Sequence, residues 1–335
     1  ATWSATGLTF TIVSRSMVTQ LILNPSDNNH IIAATSAGLR ETKDGGTTWA
    51  NLGATNETIK YIDPQPANFN TLFAVSDSDF YKSTDSGVTW TKKLTMPGTN
   101  SRLTVSANDA NRIYIINANS ELKKVYKSTD AGETFSEVLD GGTMNLLGYE
   151  ADGSDLTAGQ GWYDLTIEAS PTDADLLFVG GVNTWKSADA GTTWTIANHW
   201  VGSGGVQAVH ADKHELIYRS NGDLFESNDG GLYRSSDGAT FTNSSNGIIN
   251  SQMYKLAVSE SQVLTGLQDN GSKLYNGTTW RDVNSGDGMN CIIDYSNAQI
   301  QYSAIQYGVI DRTMDGWTTA STTITNNISG GALKG

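Results

Sequence analysis

Thr42-Lys43-Asp44-Gly45-Gly46-Thr47-Thr48-Trp49 is the stretch that decides the fold, because the chain repeats it. It returns as Ser83-Thr84-Asp85-Ser86-Gly87-Val88-Thr89-Trp90, as Ser128-Thr129-Asp130-Ala131-Gly132-Glu133-Thr134-Phe135 and as Ser187-Ala188-Asp189-Ala190-Gly191-Thr192-Thr193-Trp194. A copy one residue shorter follows at Ser235-Ser236-Asp237-Gly238-Ala239-Thr240-Phe241. Two worn copies close the series, Tyr275-Asn276-Gly277-Thr278-Thr279-Trp280 and Thr313-Met314-Asp315-Gly316-Trp317. The first five aspartates stand 41, 45, 59 and 48 residues apart, the period of a repeat architecture. An Asp in a tight turn accepts hydrogen bonds from nearby backbone N–H groups, and Gly supplies a positive φ. Asp44, Asp85, Asp130, Asp189, Asp237 and Asp315 are therefore read as structural, with no chemistry assigned to them.

Ahead of each copy lie two short β-branched runs, such as Gln20-Leu21-Ile22-Leu23 and His30-Ile31-Ile32-Ala33-Ala34, parted by the turn Asn24-Pro25-Ser26-Asp27-Asn28. Each unit reads as four antiparallel strands, with the Asp-containing turn between the third and the fourth. Radial repetition of such sheets gives an all-β propeller of about seven four-stranded blades. The expected blades cover roughly 17–55, 56–97, 98–142, 160–200, 205–245, 251–283 and 288–325 of a single propeller. Residues 1–16 read as a strand that closes the last blade or belongs to a neighbouring one, and 330–335 as leading toward a further repeat of a longer chain.

The repeated motif resembles the Asp box (BNR repeat) of sialidases, sortilin (VPS10)-type receptors and xyloglucanase-like glycosidases, and the resemblance covers nearly the whole chain. Four further segments extend it: His210-Ala211-Asp212-Lys213-His214, Asn228-Asp229-Gly230-Gly231, Gln268-Asp269-Asn270-Gly271 and Gly286-Asp287-Gly288. Their order is similar to that in exported Asp-box proteins of Bacteroidetes-type bacteria. The resemblance implies a secreted or cell-surface product and names no reaction.

Composition narrows the function classes. Of 335 residues, 35 are acidic and 21 basic, a net charge of −14 that repels a phosphate backbone. No basic run and no apolar stretch of membrane-spanning length appears, so neither a nucleic-acid partner nor a membrane span is expected. The lone Cys291 sits in an apolar run and reads as a buried, inert thiol.

Blade topology places the turns before the first strand and those between the second and third strands on one face. The unusual residues fall there, in blades 4 to 7. Trp162, Tyr163, Asp164, Gln268 and Asn270 are the candidate ligand-binding groups. His210, Asp212 and His214 alternate, so an extended segment would point them to one side. With Asp229, Asp269 and Asp287 they form a candidate metal set, and its oxygen-rich makeup fits a divalent cation, calcium first. The first reading is an extracellular binding or structural propeller that holds a glycan, a peptide, another extracellular protein or a cation at this channel-mouth face. The alternative is a xyloglucanase-like or sialidase-like glycoside hydrolase, with Asp164, Asp212 and Asp287 as candidate carboxyls. The sialidase form needs an arginine cluster, whereas the eight arginines here are scattered. Arg40 and Arg234, beside the Asp turns, read as structural.

Overall fold

The computed structural model describes residues 17–53, 57–219, 221–248 and 251–325; the expected closing strand at 1–16 and the tail at 330–335 lie outside them. The chain divides into two compact units, one up to Ser245 and one from Asn246. Among the described residues there are seven four-stranded sheets, each antiparallel and each taken in chain order. The first unit holds five of them, within 18–52, 61–95, 100–140, 166–198 and 213–243. The second holds two, within 253–284 and 288–323.

The Asp turns fasten these sheets. In the first copy the Thr42 hydroxyl donates to Asp44 Oδ1 (2.8 Å) and accepts from Gly46 N (2.9 Å). Asp44 in turn accepts from Thr48 N (2.9 Å) and from the Thr48 hydroxyl (2.6 Å). Ser83, Asp85 and Thr89 repeat the pattern, as do Ser128, Asp130 and Thr134, and then Ser187, Asp189 and Thr193. These bonds hold the Asp44 and Asp130 carboxyls down at about 2, with the partner Thr48 or Thr134 hydroxyl the largest cause. In these four copies two consecutive left-handed residues follow the Asp, such as Ala131 at φ 55 and Gly132 at φ 79. A glycine at the second site avoids the strain that a Cβ would bring.

The worn copies keep the geometry by other means. Asn276 Oδ1 accepts from Thr278 N (3.0 Å) and Thr279 N (2.9 Å), so a neutral amide does the carboxylate's work. In the last copy Trp317, at φ 66, stands where earlier copies have glycine, and its N–H still reaches the Thr313 hydroxyl at 3.0 Å.

Neighbouring sheets within each unit are held by shared apolar clusters. Ile22, Ile32 and Leu39 of the first sheet meet Ile62, Leu72 and Ala74 of the second. Phe73 and Phe80 meet Leu103 and Ile115, and Tyr114 and Ile116 meet Ile167, Leu177 and Trp185. Phe178 then meets Leu216, Leu224 and Phe241. In the second unit Leu264 and Leu274 pack on Cys291, Ile293 and Trp317, and Cys291 is a buried free thiol. Each fully buried side chain of this size contributes about 1.5–3 kcal/mol. Inner strands such as Ile113–Ala118 and Leu177–Gly180 are buried along their whole length, so consecutive residues feed the cores on both of their faces.

Candidate functional site

In the first unit the first strands of successive sheets lie side by side, which gathers the turns that precede them. The turn 159–164 before the fourth sheet and the segment 210–212 before the fifth meet the Asn228–Gly231 loop of the fifth. Gly161 N donates to Ser120 O (2.8 Å), and Tyr163 N and Asp164 N both donate to Gln160 O (2.6 and 3.0 Å). This tight turn leaves the Trp162 ring 66% exposed and its centroid 5.6 Å from that of Tyr163. Asp164, two residues on, has no exposed surface.

Asp212 and Asp229 are the carboxylates these loops share. Gln160 Nε2 donates to Asp212 Oδ1 at 2.8 Å. His214 Nε2 donates to Asp229 Oδ1 at 2.6 Å, and the Tyr163 hydroxyl donates to Asp229 Oδ2 at 3.0 Å. The Tyr163 and His214 rings meet edge to face, 4.9 Å apart. The Asp229 hydrogen bond is the main reason that the His214 imidazolium is favoured and its pKa raised. Burial raises Asp212, with the Asp229 charge second. Asp164 is pushed up to about 9, first by burial and then by the charge of Asp212. Its carboxyl thus stays protonated at neutral pH and shares that proton with Asp212.

His210 does not join Asp212 and His214 on one side. The strand of the fifth sheet begins at Lys213, and Asp212 sits at φ 63, which breaks the alternation expected of an extended segment. His210 Nδ1 donates to Ala211 O at 3.3 Å. A Cβ on Gly230 would lie 2.4 Å from the His210 ring, so the glycine lets the loop close over the imidazole. Beneath, Lys213 is fully buried and donates to His210 O (2.6 Å) and Val182 O (3.0 Å). Glu226, 4.0 Å away, balances its charge. His199, just past the last strand of the fourth sheet, donates from Nε2 to Tyr149 O at 2.9 Å and accepts at Nδ1 from Val201 N, which is loop fastening. Arg234 donates to Asp223 at 2.8 Å, the structural use expected of it.

Gln268, Asp269, Asn270 and Asp287 belong to the second unit. There Asp287 Oδ1 accepts from Asp269 N at 2.8 Å, and Asn270 Nδ2 donates to Gln268 O at 3.1 Å. Asp269 takes φ 56, and the Gly271 N–H reaches Gly286 O at 2.7 Å. In this unit Asp287 ties two loops together.

A second group of ionisable residues escaped the sequence reading. Tyr61 and Asp63, Arg102, Glu168 and Glu215 come from the first strands of sheets 2, 3, 4 and 5. The Tyr61 hydroxyl donates to Glu215 Oε1 at 3.3 Å, across 154 residues of chain. Glu168 accepts from the Thr104 hydroxyl (3.1 Å) and from Tyr218 N (3.3 Å). Burial raises Asp63 to about 7 and Glu168 to about 8, raises Glu215 and Tyr61, and lowers Arg102. Their signal in the sequence is an ionisable residue beside an apolar one on each first strand, as in Ile62-Asp63, Arg102-Leu103, Ile167-Glu168-Ala169 and Glu215-Leu216.

With this geometry in hand, the comparisons with known proteins are informative. The family model described as Sortilin-Vps10 (sortilin, neurotensin receptor 3) matches residues 5–155. A xyloglucanase of Hypocrea jecorina (strain QM6a) is 27% identical over 255 residues, covering 60% of this chain and 28% of the relative. The solved GH74 enzyme of Niastella koreensis superposes with a TM-score of 0.62 at 16% identity, over 94% of this chain and 51% of that one. An ancestral GH74 enzyme gives 0.51 at 14% identity, over 89% and 43%. The chain therefore spans about half, or less, of the proteins it matches. Repeats, sheets and comparisons agree: the chain is an all-β, Asp-box propeller of seven four-stranded blades, similar to those of the sortilin and xyloglucanase proteins.

Proposed function

We propose that this propeller is of glycoside-hydrolase type and engages a polysaccharide of the xyloglucan class outside the cell. The observation that carries the reading is the exposed Trp162 ring, tilted against Tyr163, beside the half-buried carboxyls of Asp212 and Asp229. An aromatic face stacks on the C–H surface of a pyranose ring, while carboxylates accept from its hydroxyls. The likeness to a xyloglucanase at 27% identity supports the polysaccharide class.

Hydrolysis needs an acid and a base carboxyl on either side of the scissile bond. Asp164 and Asp212 lie against each other, and Asp164 is enclosed, so the pair does not itself straddle a substrate. That observation favours a second reading, binding without cleavage by the same loops. One experiment separates the two. The chain is incubated with xyloglucan and with unsubstituted β-glucan, and both retardation in polysaccharide-containing gels and release of reducing ends are measured. Retardation that Trp162→Ala weakens about ten-fold is expected, in line with loss of a stacking contact worth about 1–1.5 kcal/mol. Reducing ends point to the hydrolase, and retardation without them to the binding module. Neither signal on either polymer overturns the glycan reading.

A further inference from the structure

The sixth copy of the Asp turn departs from the others at the atoms that decide whether an asparagine keeps its amide. Asn276 precedes Gly277, and both are exposed. In five other copies the residue after the Asp has its N–H tied to the hairpin turn ahead of it. Gly45 donates to Asn29 O, Ser86 to Asn70 O, Ala131 to Asn111 O, Ala190 to Asp175 O and Gly316 to Gln299 O, all at 2.8–3.0 Å. In the fifth copy Gly238 N reaches the Ser235 hydroxyl at 2.9 Å. Among the described residues the Gly277 N–H meets no such acceptor. The Asn276 side chain is folded back over that nitrogen. Its Oδ1 accepts from Thr278 N (3.0 Å), the Thr278 hydroxyl (2.8 Å) and Thr279 N (2.9 Å), an Asx turn that spans Gly277. Donors on that oxygen polarise the Cγ carbonyl and favour attack on its carbon, as donors at an oxyanion do. Glycine sets no side chain in the way.

We propose that Asn276–Gly277 is a self-modifying site, where the amide is lost by intramolecular deamidation and the aspartate formed completes the sixth Asp box. The Gly277 backbone nitrogen gives its proton to hydroxide and bonds to Asn276 Cγ. The Cγ–Nδ2 bond breaks, and the amide nitrogen takes a proton from water and leaves as ammonia. A five-membered succinimide remains. Water then adds at Cγ and breaks the new Cγ–N bond, which restores the Gly277 N–H and leaves a carboxylate at position 276. Nothing is oxidised or reduced, and water is the only co-reactant consumed. The product suits the turn better than the amide does. In intact copies one carboxylate oxygen takes backbone N–H groups and the other takes a hydroxyl at 2.6–2.7 Å, as for Asp44 and Asp189. Asn276 has a single acceptor oxygen, and its Thr279 hydroxyl is left 3.4 Å away. A carboxylate supplies the second oxygen and charge-assisted bonds about twice as strong as neutral ones. The inference goes beyond the glycan reading and does not depend on it.

The chain carries its own controls. Gly222 N is bound to Arg219 O (2.9 Å) and Gly271 N to Gly286 O (2.7 Å), so Asn221 and Asn270 face an engaged nitrogen. Asn246–Gly247 is exposed and reports the reactivity of an unheld pair. The test ages the whole chain in mildly alkaline buffer and maps the peptides across each pair by mass spectrometry, with aspartyl and isoaspartyl forms separated by chromatography. Asn276 is expected to convert at least as fast as Asn246, mainly to the aspartyl form, while Asn221 and Asn270 keep their amides. Asn276→Asp, made directly, should melt about 1–2 °C above the fresh wild type, and the aged protein should shift toward it. An Asn276 amide that persists while Asn246 is lost overturns the proposal. A mainly isoaspartyl product, or an Asn276→Asp protein that melts below the wild type, does the same.

Discussion

Glu168→Gln should stabilise the protein in alkali and leave it unchanged in mild acid. Folded Glu168 keeps its proton up to about 8, whereas the unfolded side chain releases it near 4.5. Between these values the native state binds more protons, so stability falls as pH rises from about 5 to 8 and levels off above. An interval of about 3.5 pH units corresponds to a ceiling of roughly 5 kcal/mol, at about 1.4 kcal/mol per unit. Glu168 keeps partial contact with solvent, which screens roughly half of this. The amide oxygen of glutamine can still accept from Thr104 and Tyr218, though more weakly than a carboxylate. A net gain of about 2 kcal/mol at pH 8.5 remains, or a melting temperature higher by about 3 °C. Thermal melts of both proteins at pH 5 and pH 8.5 provide the measurement. Equal melting temperatures at both pH values, or a wild-type protein that gains stability toward alkali, would refute the argument.

Further outcomes follow from the turns and the loop face. Ser128→Ala removes the acceptor of the Gly132 N–H inside a buried turn, and denaturant titration should register a loss of about 1–2 kcal/mol. The Asp44 and Asp130 carboxylates, held near 2, contribute stability that is present above the ordinary carboxylate range and lost as pH falls from about 4 through 2; acid titration followed by tryptophan fluorescence should show unfolding in that window. Gly230→Ala drives a methyl into the His210 ring, so the His210 proton resonances should move and stability drop by about 1–3 kcal/mol. Lys213→Met leaves two buried carbonyls and Glu226 without their ammonium, and chemical denaturation should show a loss of about 3 kcal/mol or more.

The strands and turns were legible because their signals are local. A box such as Ser128–Phe135 closes on itself, and a short apolar run such as Ile31-Ile32-Ala33-Ala34, bounded by turn residues, marks a strand without reference to distant residues. The loop face was legible through topology, which sorts turns by the strands they connect and so grouped Trp162, Asp212 and Asp229. Two things were not. The one-sided grouping of His210, Asp212 and His214 assumed extended backbone, and the left-handed Asp212 defeats it. Asp63, Glu168 and Glu215 occupy the polar positions of alternating strands, which ordinarily face water. Their burial arises only when the first strands of four sheets converge, a fact that no local window contains.

The self-contained Asp turn also governs how such a chain can change. Because each box is fastened by residues within a span of seven, a neighbouring connection can lengthen without loosening it. The 59-residue interval between Asp130 and Asp189 demonstrates this: 141–165 is inserted ahead of the fourth sheet, while the boxes on both sides keep the same bonds. That insertion is what brings Trp162, Tyr163 and Asp164 to the loop face. Novelty in this architecture is thus confined to the edge opposite the fasteners, where a new loop can be tried without risk to the scaffold that carries it.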